Sequence, residues 1–152
     1  MYGEDVMARF QDNLVLIRKT VGWSEEEFGN NIGVTRQTIY NLENKKSKLT
    51  KTQFLAMKNV LEDEIKNSKE KNEMLICLLQ AIVFNPEQYE DEQKKQILEK
   101  ANMLAPAIIT KTNSAKEVSN EFVKILMTVG ISVGTIILAA GFGGPFFKGS
   151  RK

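Results

Sequence analysis

The chain has 152 residues, 21 Lys and Arg against 19 Asp and Glu, no histidine and one cysteine, Cys77. That length holds one ordinary domain or a small domain with an appendage, and the near-balanced charge names no partner. The missing histidine excludes Cys–His and Ser–His relays and any histidine metal site; the lone cysteine excludes an intrachain disulfide. Cys77 lies in the apolar run MLICLLQAIVF and reads as a buried small hydrophobe in a reducing cytosol. The residues offer no catalytic set, metal site or cofactor site, so the protein is not read as an enzyme.

Met1 to Gln11 is polar and acidic, so no secretory leader is read there. Phe10, Leu14 and Ile17 make a first helical stripe that stops at Gly22. Ser24 and Glu27 form a capping-box pattern opening a short second helix, which Gly33 ends. Thr35 caps a third helix, with Val34 and Ile39 spaced as a hydrophobic staple. After a polar basic loop, NKKSKLTK, a fourth helix carries Phe54, Leu55, Met57, Leu61 and Ile65, with a break expected near Glu62. These elements form a compact unit over residues 1–66.

The charged stretch KNSKEKNE follows as a linker or the exposed start of a helix. Met74–Phe84 is apolar nearly all round, and Pro86 suits the first turn of another helix reaching about Leu104. Helix, short turn and helix imply an antiparallel pair within an assembly region over 67–116. The remainder, 117–152, is a hydrophobic segment with a basic tail. The fold class is therefore all-α: a compact N-terminal unit, an antiparallel helix pair and an apolar, glycine-containing C-terminal helix.

Charge is unevenly spread along this plan. Met1–Val34 carries three basic and six acidic residues, whereas Thr35–Lys58 carries six basic residues against Glu43 alone. A positive patch thus begins at the third helix. At 100° per residue, Arg36, Gln37, Tyr40 and Asn41 share one arc of that helix, with Ile39 and Leu42 nearly opposite. Solvated faces usually favour Glu and Lys, whereas Arg, Gln and Asn present flat hydrogen-bonding edges. Two short helices joined by a glycine turn, the second with such a face, describe a helix-turn-helix. A helix about 10–12 Å across enters the major groove of DNA, where Arg pairs with guanine and Gln or Asn with adenine. The basic loop beyond it is placed to meet phosphates.

The stretch LIRKTVGWSEEEFGNNIGVTRQTIYNLENKKSKLT, within residues 10–65, resembles the phage Cro/repressor type of helix-turn-helix domain. The resemblance implies double-stranded DNA as partner, with Arg36, Gln37 and Asn41 at the base-reading places and Tyr40 beside them. It places phosphate contacts at Asn44 and Lys46, and the same set extends to Thr35, Lys45 and Lys48. It also implies a brace between Arg18, near the end of the first helix, and Glu43, which ends the recognition helix. This chain departs from the family pattern in three places. Glu25 stands where a phosphate-contacting Gln is frequent, Gly29 where Ala is usual, and Lys45 where Gly is usual.

Ile125–Phe147 is a run of 23 residues without a charge. About 20 apolar residues in a helix span a bilayer core, so the run is long enough for a membrane helix. Gly130 and Gly134 make a small-residue pattern found in membrane helix pairs. Burial within a soluble oligomer and a partner-bound tail are the other readings. The basic flanks, Lys111, Lys116 and Lys124 before it and Lys148, Arg151 and Lys152 after it, do not decide an orientation. The chain is accordingly expected to be a dimeric, sequence-specific transcriptional regulator that reads DNA with helix 35–43. It is expected in the cytoplasm, attached to the inner membrane through 125–147 if that run inserts. The competing class is a membrane-associated signalling or interaction protein using the helix-turn-helix to bind protein.

Overall fold

A computed structural model describes residues 3–139, and these are all-α. The first stripe is split into α1 (Glu4–Asp12) and α2 (Leu14–Val21). Phe10, Leu14 and Ile17 are fully buried as their spacing predicts, but Asn13 leaves the helical region at φ −109°, ψ 16°. Its Nδ2 donates to the Arg9 carbonyl at 2.8 Å, satisfying the end of α1 with a side chain.

Next come α3 (Glu25–Ile32), α4 (Arg36–Glu43) and α5 (Lys51–Asn67). The break expected near Glu62 does not occur, because Lys58 and Glu62 pair at 3.1 Å along an unbroken helix face. The start of α5 is fixed by a second capping box, between Thr50 and Gln53.

The apolar run forms α6 (Glu73–Leu78) and a π-helical turn over Leu79–Phe84. Pro86 opens only a short 3₁₀ turn, and α7 (Asp91–Ile109) begins behind a Glu90–Gln93 capping box. It continues past the expected end and through Pro106. Pro106 and Asn102, whose carbonyl loses its helical donor, both lie on the exposed side, where the carbonyl is open to solvent.

The C-terminal segment differs most from expectation. α8 (Ala115–Thr128) and α9 (Val133–Ala139) are bent by 110°. Gly130, at φ 82°, sits in the break, so Gly130 and Gly134 do not share a helix face. Among the described residues no single helix is long and apolar enough to cross a membrane. Residues 140–147 of the uncharged run lie outside the described part.

One closure ends several of these helices. Trp23 N–H donates to the Arg18 carbonyl at 3.2 Å, Val34 to Gly29 at 2.9 Å and Ile131 to Leu126 at 2.9 Å. In each case the residue just before the donor is a left-handed glycine: Gly22, Gly33 or Gly130. Lys45 and Lys111 occupy the same left-handed place, at φ 57° and 59°, with Lys46 donating to Asn41 and Thr112 to Ala107. A side chain there costs about 1–2 kcal/mol that glycine does not.

A continuous core joins the first five helices to the rest. Phe10 meets Phe54 edge-on at 5.2 Å between ring centroids, and Phe54 lies 6.2 Å from Phe84 in the π turn. α2 packs on both α6 and α7, and Ile108 reaches within 3.1 Å of where a Cβ on Gly22 would stand. Cys77 is fully buried, and burial pushes its thiol up, so it carries no thiolate.

Candidate nucleic-acid interface

The α3–α4 corner is built by backbone fit and two caps. Ser24 Oγ accepts from Glu27 N–H at 3.0 Å while Glu27 accepts from Ser24 N–H at 2.8 Å. Thr35 Oγ1 accepts from Thr38 N–H at 3.1 Å and starts α4. A Cβ on Gly29 would lie 2.7 Å from the Val34 carbonyl oxygen, so the usual Ala does not fit without moving the turn. Ile39 and Leu42 are buried, which turns the other side of α4 to solvent.

That outer side carries the arc expected from the sequence. Arg36, Gln37 and Tyr40 are exposed and Asn41 is half-buried. Their heads are already engaged with protein partners. Gln37 Nε2 donates to Asn41 Oδ1 at 3.0 Å, and Arg36 Nη1 pairs with Glu25 Oε1 at 3.2 Å. Lys46 Nζ stands 5.0 Å from the centroid of the Tyr40 ring, within cation–π range. The arc and the loop therefore meet at Tyr40.

The loop residues follow directly. Asn44 Nδ2 donates to the Tyr40 carbonyl at 2.9 Å and closes α4. Lys45 turns back to pair with Asp12 of α1, while Lys46 and Lys48 are exposed and line with it the cleft between the loop and α1. Thr35 lies at the opposite end of α4, with its hydroxyl occupied by the cap. Glu25, a departure from the family pattern in the sequence, is thus a partner of Arg36, and Asp12 a partner of Lys45. Neither pairing has a signal in residue spacing, since each crosses between elements.

Under the corner, Arg18 Nε donates to Glu43 Oε2 at 2.5 Å and Nη2 to Oε1 at 3.3 Å. Arg18 Nη1 also donates to the Trp23 carbonyl at 3.0 Å. The Glu43 side chain is only 3% exposed. Burial pushes its carboxyl above the usual range against the pull of Arg18, and the neighbouring Glu25 carboxylate pushes the same way.

Residues 14–62 match the helix-turn-helix family model. This segment is similar to a Cro/repressor-type helix-turn-helix domain. No curated protein and no solved structure matches the chain. The match supports a DNA-binding transcription regulator. Within the helix-turn-helix domain, α3 is the supporting helix and α4 stands where the recognition helix belongs. The match begins at Leu14, so α1 lies before it.

Proposed function

We propose that the protein is a sequence-specific transcriptional regulator that lays α4 in the major groove of double-stranded DNA as a dimer. The observation that carries this reading is the outer side of α4. Arg36, Gln37, Tyr40 and Asn41 stand together there, on a helix anchored from behind by Ile39 and Leu42. Arg36 suits the O6/N7 edge of guanine, and Gln37 and Asn41 suit adenine. Tyr40 offers apolar contact to a thymine methyl. Thr35, Asn44, Lys46 and Lys48 flank the helix as phosphate contacts, and Lys45 joins them only by leaving Asp12. Regulation then works by occlusion or recruitment at an operator, without chemistry.

Glu25 shapes the front of this surface. It keeps the first turn of α3 from serving as a phosphate clamp, and it holds Arg36 beside the place where a base edge would come. The region beyond α7 assembles or anchors the regulator. Met127, Val129 and Leu138 are exposed on α8, the bend and α9, and the uncharged run continues into residues 140–147. Exposed apolar groups of this kind support either self-association or attachment to a membrane.

Selection from a randomised pool of duplex DNA tests the reading. The wild-type chain should enrich a two-fold symmetric motif, with affinity falling steeply as salt rises. Arg36→Ala and Gln37→Ala should each lose about 1–3 kcal/mol at particular base pairs, whereas Lys46→Ala should weaken all sequences alike. No enrichment, or losses independent of sequence from all three, would overturn it. Cell fractionation and sedimentation, with and without residues 125–152, decide between anchor and assembly surface.

A further inference from the structure

We propose that Gln11 of α1 is a positioning residue for the phosphate-contacting loop after α4; this rests on the DNA-binding reading above. A single side chain spans the loop. Gln11 Nε2 donates to the Leu42 carbonyl at 3.0 Å and to the Ser47 carbonyl at 2.9 Å, while Gln11 Oε1 accepts from Leu49 N–H at 3.0 Å. These three bonds join the end of α4, the middle of the loop and its return toward α5. They engage both hydrogens of the Gln11 amide group and its oxygen, so neither an acid nor a shorter amide replaces it.

The loop needs such a hold. Its tightest point, Lys45, is left-handed without being glycine, so its path is less favoured by local conformation than a glycine turn would be. The Asp12–Lys45 pair stands beside the Gln11 bonds and ties the same loop to α1. From Asn44 to Lys48, before the buried Leu49, the loop is exposed and carries Lys45, Lys46 and Lys48. Leu49 anchors the far end in the core, and Gln11 fixes its amide and the Ser47 carbonyl on the way. A lysine pays less entropy to meet a phosphate when its backbone is already held. An uncharged residue that touches no DNA therefore sets how many loop cations meet phosphate.

Counterion release reads this directly, because the logarithm of affinity falls with the logarithm of salt by about 0.9 per phosphate contact. The full chain and its Gln11→Met and Gln11→Ala variants are titrated with random-sequence duplex DNA across salt, and passed through the same pool selection. Amide exchange at Leu49 is measured in the free protein. Both variants should flatten the salt slope by about 1 to 2, the loss of one or two contacts. Base preference should stay that of wild type, and the Leu49 amide should exchange faster. Gln11 is half-buried at the edge of the core, and unfolding midpoints report any wider damage. A faster Leu49 amide with an unchanged slope would overturn the positioning role, as would a slope change accompanied by altered base preference, which would place the effect in α4. Wild-type chain without salt-dependent binding would instead overturn the DNA-binding reading, a result distinct from either.

Discussion

Three turns in this chain share one local recipe, Gly-X-Ser/Thr: Gly22-Trp23-Ser24, Gly33-Val34-Thr35 and Gly130-Ile131-Ser132. Each has a left-handed glycine, an apolar middle residue that closes the preceding helix, and a hydroxyl before the next one. The first two belong to the helix-turn-helix and set α3 and α4 at a fixed corner. The third bends α8 into α9, and its backbone cap is longer: Ser132 Oγ accepts from Thr135 N–H at 3.4 Å, against 3.0 and 3.1 Å at the other two, and from the Thr135 hydroxyl at 3.0 Å. The outer sides differ more than the turns do. α4 presents Arg36, Gln37 and Tyr40, whereas α9 presents Gly134, Thr135 and Leu138. Turn chemistry sets the angle between helices, and the exposed arc decides what the second helix meets.

The largest way to separate these turns is to remove the charge that ties the first two together. Arg18 reaches the Trp23 carbonyl in one turn and Glu43 at the end of the helix that follows the other. Arg18→Met would strand the buried Glu43 carboxylate beside Glu25 and cost about 3–5 kcal/mol. Denaturant unfolding of the full chain should show it, and a loss under 1 kcal/mol would mean the brace carries little. No charge lies between Ile125 and Ala139, so the third turn offers no equivalent experiment.

Next in size are the glycines. Gly33→Ala and Gly130→Ala place a side chain at φ 80° and 82°, with no neighbour within 4 Å of the new Cβ in either case. Each should cost about 1–2 kcal/mol from backbone conformation alone. Only Gly33→Ala should also weaken DNA binding. Equal binding losses would show that the third turn is coupled to the reading surface.

A smaller effect is expected from the caps. Thr35→Ala and Ser24→Ala should each lower stability by about 1 kcal/mol, and Ser132→Ala by clearly less, in keeping with its longer bond. Thermal unfolding of the three variants side by side gives the order.

The smallest effect is one of pH. Burial and Glu25 raise the Glu43 carboxyl in the folded state, so the folded chain takes up this proton before the unfolded chain does. The Glu43 contribution to stability therefore grows as pH falls through the folded value towards the ordinary carboxylate range, and declines as pH rises through it. Wild type should accordingly gain on Glu43→Gln as the solution is acidified from neutrality. A difference between the two that ignores pH would show Glu43 to be unperturbed.

The three turns also show what the sequence can tell. At Gly22 and Gly33 the surrounding stripes, caps and staple agree, and the corner is legible from residues alone. At Gly130 the same local pattern is present, yet the absence of charge from Ile125 onward favours reading one long helix. Length and apolarity are averages over a window, whereas a helix ends at one left-handed residue. Asn13 and Pro106 make the same point in opposite directions. A polar residue inside a good stripe interrupts a helix, and a proline on an exposed face does not. The polar arc of α4 was legible because its residues lie close in sequence and share a period. Glu25 with Arg36, Asp12 with Lys45 and Gln11 with the loop were not, because packing alone brings those residues together.

The core shared across residue 66 bears on portability. Phe54 leans on Phe84, and Gly22 faces Ile108, so the side of the helix-turn-helix away from the proposed groove is finished by residues from α7 and the π turn. A fragment ending at residue 66 would leave that side open to water, with Leu14 and Ile17 of the well-packed α2 deprived of α6 and α7. Grafting the first five helices onto another protein should therefore weaken their fold and, with it, the proposed DNA binding. The described residues are better treated as one casting, in which α2 is both a floor under α4 and a wall against α6 and α7.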